Sequence, residues 1–218
     1  SGNPGYNILA ATLVPEGQQL TPSFYPTSQT TEGYHGNGVL LQTKETGPLG
    51  STFGSPLAAG NLFIGTFKLA FPTVNSPRFG MPYNQTVAPK ALKGYFKYKA
   101  GKDFVVNNAP SDLTKDTWDA YAVLFEKEEG KDNYLPPSNV FDNPRVVSIA
   151  RLSDNQRIET DQWTKFYIPF NNKEGKSFDP NKDYLYTIVF TSSKEGNNFN
   201  GAVGSKLWID EVQLVTTK

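Results

Sequence analysis

Nowhere in this chain do apolar residues recur at i, i+3, i+4 and i+7 over a useful length, and this constrains the fold more than any single motif. Instead, apolar and aromatic residues gather in short alternating segments, spaced too closely for crossover helices. Seven such segments read as core strands: Asn37–Thr43, Asn61–Phe71, Leu92–Lys99, Asp119–Glu126, Arg145–Leu152, Trp163–Phe170 and Tyr184–Thr191. An eighth closes the chain within Gly196–Val215, and Gly5–Val14 reads as an N-terminal edge strand ending at Pro15. Strands joined by turns, with no helical layer to cover them, predict one antiparallel β-sandwich over residues 1–218.

Pattern separates the strands by role. Phe63, Phe67, Leu69 and Phe71 share one parity, so Asn61–Phe71 is expected as a continuous core strand. Leu92, Phe96 and Tyr98 oppose Lys93, Tyr95, Lys97 and Lys99, which gives one core face and one solvated face. The lysine row would also attract an acidic glycan. Tyr184–Thr191 is apolar on both parities and reads as a central strand. Pro15–Gly36 and Pro72–Pro89 read as loops, and the charged segment Lys127–Asn143 as a mobile one.

In the closing strand, alternation groups Trp208, Asp210, Val212 and Leu214 on a core-facing parity. A carboxylate placed there needs hydrogen bonds, a cation or a local bulge, because an unpaired buried charge is too costly. Trp163 and Trp208 both lie in strands and are expected mainly in the core.

Composition removes several functions. Lys+Arg and Asp+Glu both number 21, and a balanced charge argues against nucleic-acid binding. There is no cysteine, so disulfides, thiolate metal sites and a cysteine nucleophile are excluded. One histidine, His35, excludes a two-histidine zinc site. No apolar run approaches the ~18–20 residues of a membrane-spanning helix. The first residue is Ser rather than Met, so a removed targeting segment is expected upstream.

Several blocks carry a family resemblance: Gly2-Asn3-Pro4-Gly5-Tyr6, Val39–Thr43, Ala59–Gly65 (AGNLFIG), Phe79–Tyr83 (FGMPY), Lys93–Gly101 (KGYFKYKAG), and Ser192–Gly201 with Val203–Leu214 (SSKEGNNFNG, VGSKLWIDEVQL). Together they resemble the putative carbohydrate metabolism domain of exported proteins of gut bacteria. That resemblance implies a jelly-roll β-sandwich similar to glucanases and carbohydrate-binding modules. It also implies an extracellular or cell-surface setting, other domains upstream, and lipid anchoring through a removed N-terminal segment.

Sugar sites on β-sandwiches pair a ring that stacks on a pyranose with planar polar groups that bond its hydroxyls. The expected ligand contacts are Tyr34, Arg78, Phe79, Tyr83, Asn84, Trp118, Asp119 and Tyr134, all placed in loops or at strand ends. Glycoside hydrolysis instead needs two carboxylates, ~5–5.5 Å apart for retention and ~6.5–9.5 Å for inversion. Asp210 and Glu211 are adjacent and alternate in direction, so they fail as a pair unless a bulge intervenes. Glu45, Asp119, Glu126 and Asp210 remain as scattered candidates. Asp210 has a further reading as a ligand of a structural calcium, an ion that takes oxygen donors. The expected function is therefore a glycan-binding module, with a glycoside hydrolase and a structural or adhesion module as alternatives.

Overall fold

The computed structural model describes residues 24–52, 54–70, 72–130 and 133–216, without the side chains of Leu49 and Thr73. The expected edge strand Gly5–Val14 lies outside the described residues. Two antiparallel sheets face each other. The first has five strands in the order β1 (Thr27–Thr30), β2 (Gly38–Gln42), β17 (Lys206–Thr216), β9 (Pro89–Lys99) and β13 (Thr160–Pro169). The second runs β14 (Asn171–Asn172), β12 (Val146–Arg151), β11 (Asp119–Glu126), β15 (Tyr184–Thr191) and β5 (Asn61–Phe63), with β8 (Met81–Pro82) also pairing to β15. Three small ladders complete the fold: β3 (Lys44–Glu45) with β4 (Leu57–Ala58), β6 (Gly65–Phe67) with β7 (Pro77–Phe79), and β10 (Phe104–Val105) with β16 (Gly201–Ala202). A short helix, α1 (Gly47–Thr52), precedes β4. The architecture is the antiparallel β-sandwich expected from the strand pattern, in the jelly-roll form that the resemblance implies.

The core between the sheets is filled by alternate residues from both. Phe96 and Tyr98 of β9, Phe166 and Ile168 of β13, and Leu207 and Ile209 of β17 come from one side. Ala120 and Ala122 of β11, Ala150 of β12, and Ile188 and Phe190 of β15 come from the other. Small residues on the central strands leave room for large rings opposite, which is how a core reaches solid-like density. Gly94 serves the same end inside β9: a Cβ there would lie 2.7 Å from the Phe166 ring.

A second apolar layer covers the outer face of the six-stranded sheet. Tyr121, Val123 and Phe125 of β11 point outward and pack with Phe79, Leu135 and Val140 from the connecting segments. This explains why β11 and β15 are apolar on both parities. It also corrects the expectation of a mobile Lys127–Asn143 segment. Leu135 and Val140 are buried, and Leu135 bridges to Phe79 through paired backbone hydrogen bonds.

The expected continuous strand Asn61–Phe71 is broken in two. Asn61–Phe63 pairs with β15, whereas Gly65–Phe67 leaves the sheet and pairs with β7. Gly65 is the switch point: its φ is 156°, and a Cβ would sit 2.2 Å from the Arg78 carbonyl oxygen. Leu69, expected in the core, is 49% exposed. Alternation alone cannot show a strand changing partners midway.

Candidate functional site

Of the sandwich's two outer faces, one lies under the apolar layer just described. The other, on the five-stranded sheet, carries large aromatic side chains that no such layer covers among the described residues. Residues directly opposite on antiparallel strands share a face, so the ladders give its rows. Lys206 of β17 stands opposite Lys99 of β9, and Trp208 opposite Lys97. Asp210 stands opposite Tyr95, which stands opposite Lys165 of β13. Beyond them Gln213, Lys93 and Tyr167 make a fourth row, with Tyr167 48% exposed.

The centre of this face is an aromatic platform. The Lys97 ammonium lies 5.0 Å from the Trp163 ring centroid and 5.1 Å from that of Trp208, so two half-buried indoles flank one cation. Tyr34 enters from the β1–β2 connection and stacks on Tyr95, with centroids 3.8 Å apart and planes 10° from parallel. The Trp163 and Tyr34 ring centroids lie 6.2 Å apart, with the planes at 69° in an edge-to-face contact. The neighbouring Tyr95 phenol raises the Tyr34 pKa above its ordinary value. Trp163 and Trp208 therefore face outward, contrary to the core placement expected of them as strand residues.

At Trp208 a bulge in β17 explains the reversal. Register with β9 jumps between Asp210 and Gln213, and Glu211 takes a left-handed conformation with φ 52°. Before the bulge Leu207 and Ile209 are the inward residues; after it Leu214 turns in against the core and Val212 is 37% exposed. Asp210 thus avoids burial by lying on the platform side. Its Oδ2 accepts the His35 backbone N–H at 3.0 Å, and its Oδ1 accepts the Glu211 N–H at 2.8 Å. Glu211 Oε1 lies 3.4 Å from His35 Nδ1. Both carboxylates therefore meet one residue, and Asp210 ties down the loop that carries Tyr34. A depression of about 540 Å³ adjoins them, lined also by Gln29, Asn37, Val39 and Leu62.

These contacts do not fit a calcium ion at Asp210. Both carboxylate oxygens already receive N–H donors, whose positive ends oppose a cation, and calcium takes 6–8 oxygen ligands. No group of three or more His, Asp or Glu residues suited to a metal ion forms among the described residues.

The other expected contacts lie elsewhere. Trp118 is fully buried in the inter-sheet core, 4.3 Å from Phe96 between ring centroids, so it is a packing residue and not a ligand contact. Asp119 is 2% exposed and clamped by two guanidinium groups, Arg151 on Oδ2 (2.8 and 3.0 Å) and Arg157 on Oδ1 (2.9 and 3.2 Å). Its lone pairs are used, and it offers nothing to a sugar. Phe79 is buried as part of the second apolar layer. Tyr83 is 7% exposed and donates to the Val87 carbonyl at 2.8 Å. Arg78 lies 4.6 Å above the Tyr134 ring, on the far side of the molecule from the platform. Asn84 is exposed beside Tyr83. Of these eight residues, Tyr34 alone belongs to the platform.

Among the carboxylate candidates, Glu126 is held by Lys182 at 2.8 Å, which lowers its pKa, with Lys176 adding to this at 3.7 Å. Glu45 lies exposed in β3. Asp210 and Glu211 are the pair that the backbone brings together.

Comparison with known proteins agrees with this architecture. A family profile described as the putative carbohydrate metabolism domain matches residues 1–215. A crystal structure of a putative glycoside hydrolase from Bacteroides thetaiotaomicron superimposes with a TM-score of 0.88 at 41% identity, covering 100% of this chain and 62% of that one. A second, from Bacteroides vulgatus, gives a TM-score of 0.85 at 36% identity, covering 100% of this chain and 85% of that one. The chain therefore spans under two thirds of the first structure's length. Proteins of curated function give no match. The chain belongs to the putative carbohydrate metabolism domain family.

Proposed function

We propose that this domain binds an oligo- or polysaccharide on the outer face of the five-stranded sheet. The observation that carries the reading is the platform of Trp163, Trp208, Tyr95 and Tyr34, which nothing covers among the described residues, on a sheet whose counterpart is sealed. Pyranose C–H groups stack on ring faces, and hydroxyls need planar or charged partners at the rim. Lys97, Gln213 and Lys93 supply such partners from the same face. Trp163 and Trp208 sit two strands apart, about 10 Å at the backbone, so the platform suits more than one sugar ring. Polymeric glycans are met outside the cell, and the reading carries with it a secreted or surface-attached setting.

The test is a glycan-array screen followed by calorimetry on Trp163→Ala and Trp208→Ala. Loss of binding in both, with the fold retained, supports the platform. Unchanged affinity removes it.

A second reading has one observation in its favour: the β17 bulge lets Asp210 and Glu211 converge on His35, giving two neighbouring carboxylates beside the rings. Product analysis on any bound glycan separates the two. Turnover lost in Glu211→Gln would assign a hydrolase, and binding without products assigns a module.

A further inference from the structure

The platform is as notable for its charge as for its rings. Lys93, Lys97, Lys99, Lys165 and Lys206 all project from this one face, in a chain whose formal net charge is zero. Elsewhere six lysines (115, 127, 173, 176, 182 and 194) each lie within 4 Å of a carboxylate. None of the five on the platform has such a partner among the described residues. Lys206 and Lys99 stand directly opposite each other, a like-charge pairing that weakens a sheet. Nearby Lys44 has its pKa lowered by burial and then by the charge of Lys206. Glu159, which feels Lys99, is already bonded to Lys115 and to the Ala100 N–H. Asp210 and Glu211, the acidic groups at the other end, are occupied by N–H donors and by His35.

Lys97 is the informative member. Two indoles hold its ammonium at ring height, so a charge stands where a sugar ring would stack. A neutral glycan leaves that charge, and the Lys99–Lys206 repulsion, uncompensated. A sugar bearing an anionic group satisfies both while its ring lies on an indole.

We infer that the glycan taken by this platform is anionic, a uronate-bearing or sulfated oligosaccharide whose charge is met by Lys97 and by the Lys99–Lys206 pair. This rests on the glycan-binding reading and names its ligand class.

The experiment titrates the protein with three probes: oligogalacturonate, a sulfated dextran oligomer and the same dextran unsulfated. Wild type is compared with Lys99→Gln/Lys206→Gln and with Lys173→Gln/Lys176→Gln, a charge-matched control in the turn that follows β14 at the edge of the opposite sheet. The first double variant removes a repulsive pair and does not touch the indoles, so the fold is retained. At least one anionic probe should bind about tenfold more tightly than neutral dextran. Lys99→Gln/Lys206→Gln should erase that margin, and the control should keep it. Preference for galacturonate over the sulfated oligomer, or the reverse, identifies carboxylate or sulfate as the recognised group. Equal binding of neutral and anionic probes, still sensitive to Trp208→Ala, would overturn the charge inference and leave the glycan platform standing. Anion binding equally weakened by the control pair, and insensitive to Trp208→Ala, would overturn both.

Discussion

Trp208 and Lys97 stand directly opposite each other on neighbouring strands, with the ammonium 5.1 Å from the indole centroid and Trp163 closing on it from the far side. The contact fixes a flexible side chain by cation–π attraction worth ~0.5–1 kcal/mol at an exposed site. Preorganisation of this kind lowers the entropy lost when a ligand is met. Methionine at 97 keeps an unbranched apolar stem and removes the charge. Lys97→Met is therefore expected to unfold within about 1 kcal/mol of wild type. It should nevertheless lose the preference for anionic glycans in the same titration. A larger stability loss would show that the charge holds the sheet together and is not displayed for a ligand.

The three tryptophans divide by burial. Trp118 is fully buried against Phe96, Tyr98 and Phe166. Trp118→Ala should destabilise by ~3–5 kcal/mol, the usual range for emptying such a site. Trp163→Ala and Trp208→Ala remove half-exposed rings and should cost well under half of that. Urea unfolding of the three variants orders them, and an equal loss at all three positions would contradict the platform's outward face.

Asp119 is the acceptor for two guanidinium groups, and Arg157 is itself almost fully buried. Removing one partner of a buried pair leaves a charge stranded, at ~3–5 kcal/mol. Asp119→Ala should show that loss in chemical denaturation with glycan affinity unchanged. Reduced affinity in a folded variant would return Asp119 to the ligand contacts.

The sandwich was legible because alternation and turn spacing report which residues face the core, and Asp119–Glu126 and Tyr184–Thr191 emerge with the bounds read from the sequence. The platform was not. Tyr95 and Lys97 fall on the solvated parity that the sequence shows, yet alternation places Trp208 inward. A period of two carried through Asp210 to Val212 and Leu214 crosses a bulge that no residue type announces: Glu211 at φ 52° stands where Gly or Asn would be expected. Loop aromatics misled for the opposite reason. Phe79, Tyr83 and Trp118 flank strands whose outer face is apolar, so those rings serve to cover it or to fill the core.

Asp116 is 3% exposed and accepts from Ser193 Oγ, Ser205 Oγ and the Ala202 N–H on Oδ2, and from the Thr117 N–H on Oδ1. Burial nevertheless pushes its carboxyl above the ordinary carboxylate range, with these hydrogen bonds opposing the shift. A folded-state pKa above the unfolded one means that the folded protein keeps a proton the unfolded chain has released. Its contribution to stability is complete below the unfolded pKa and is lost as pH rises through the folded one. Asn does not titrate. The stability difference between wild type and Asp116→Asn should therefore be most favourable to wild type in acid and shrink as pH climbs from the ordinary carboxylate value. A difference that widens with pH would mean that the four donors outweigh burial.

The β17 bulge offers a test of how the platform is held. A residue with a Cβ in the left-handed region costs roughly 1–2 kcal/mol, and Glu211 bears it at φ 52°. Gly removes that strain but adds ~0.5–1 kcal/mol of chain entropy and gives up the exposed contact to His35, itself ~0–1 kcal/mol. These terms nearly cancel, so Glu211→Gly should match wild type within about 1 kcal/mol. Val, branched at Cβ, meets the full steric penalty, and Glu211→Val should lose about 2 kcal/mol or slip the register. In Glu211→Gly the Asp210 carboxylate still accepts both backbone N–H groups, so Tyr34 should stay stacked on Tyr95, seen as retained upfield shifts of its ring protons. If Val is tolerated as well as Gly, the bulge lies elsewhere in β17, and Trp208 and Asp210 need not share the outer face.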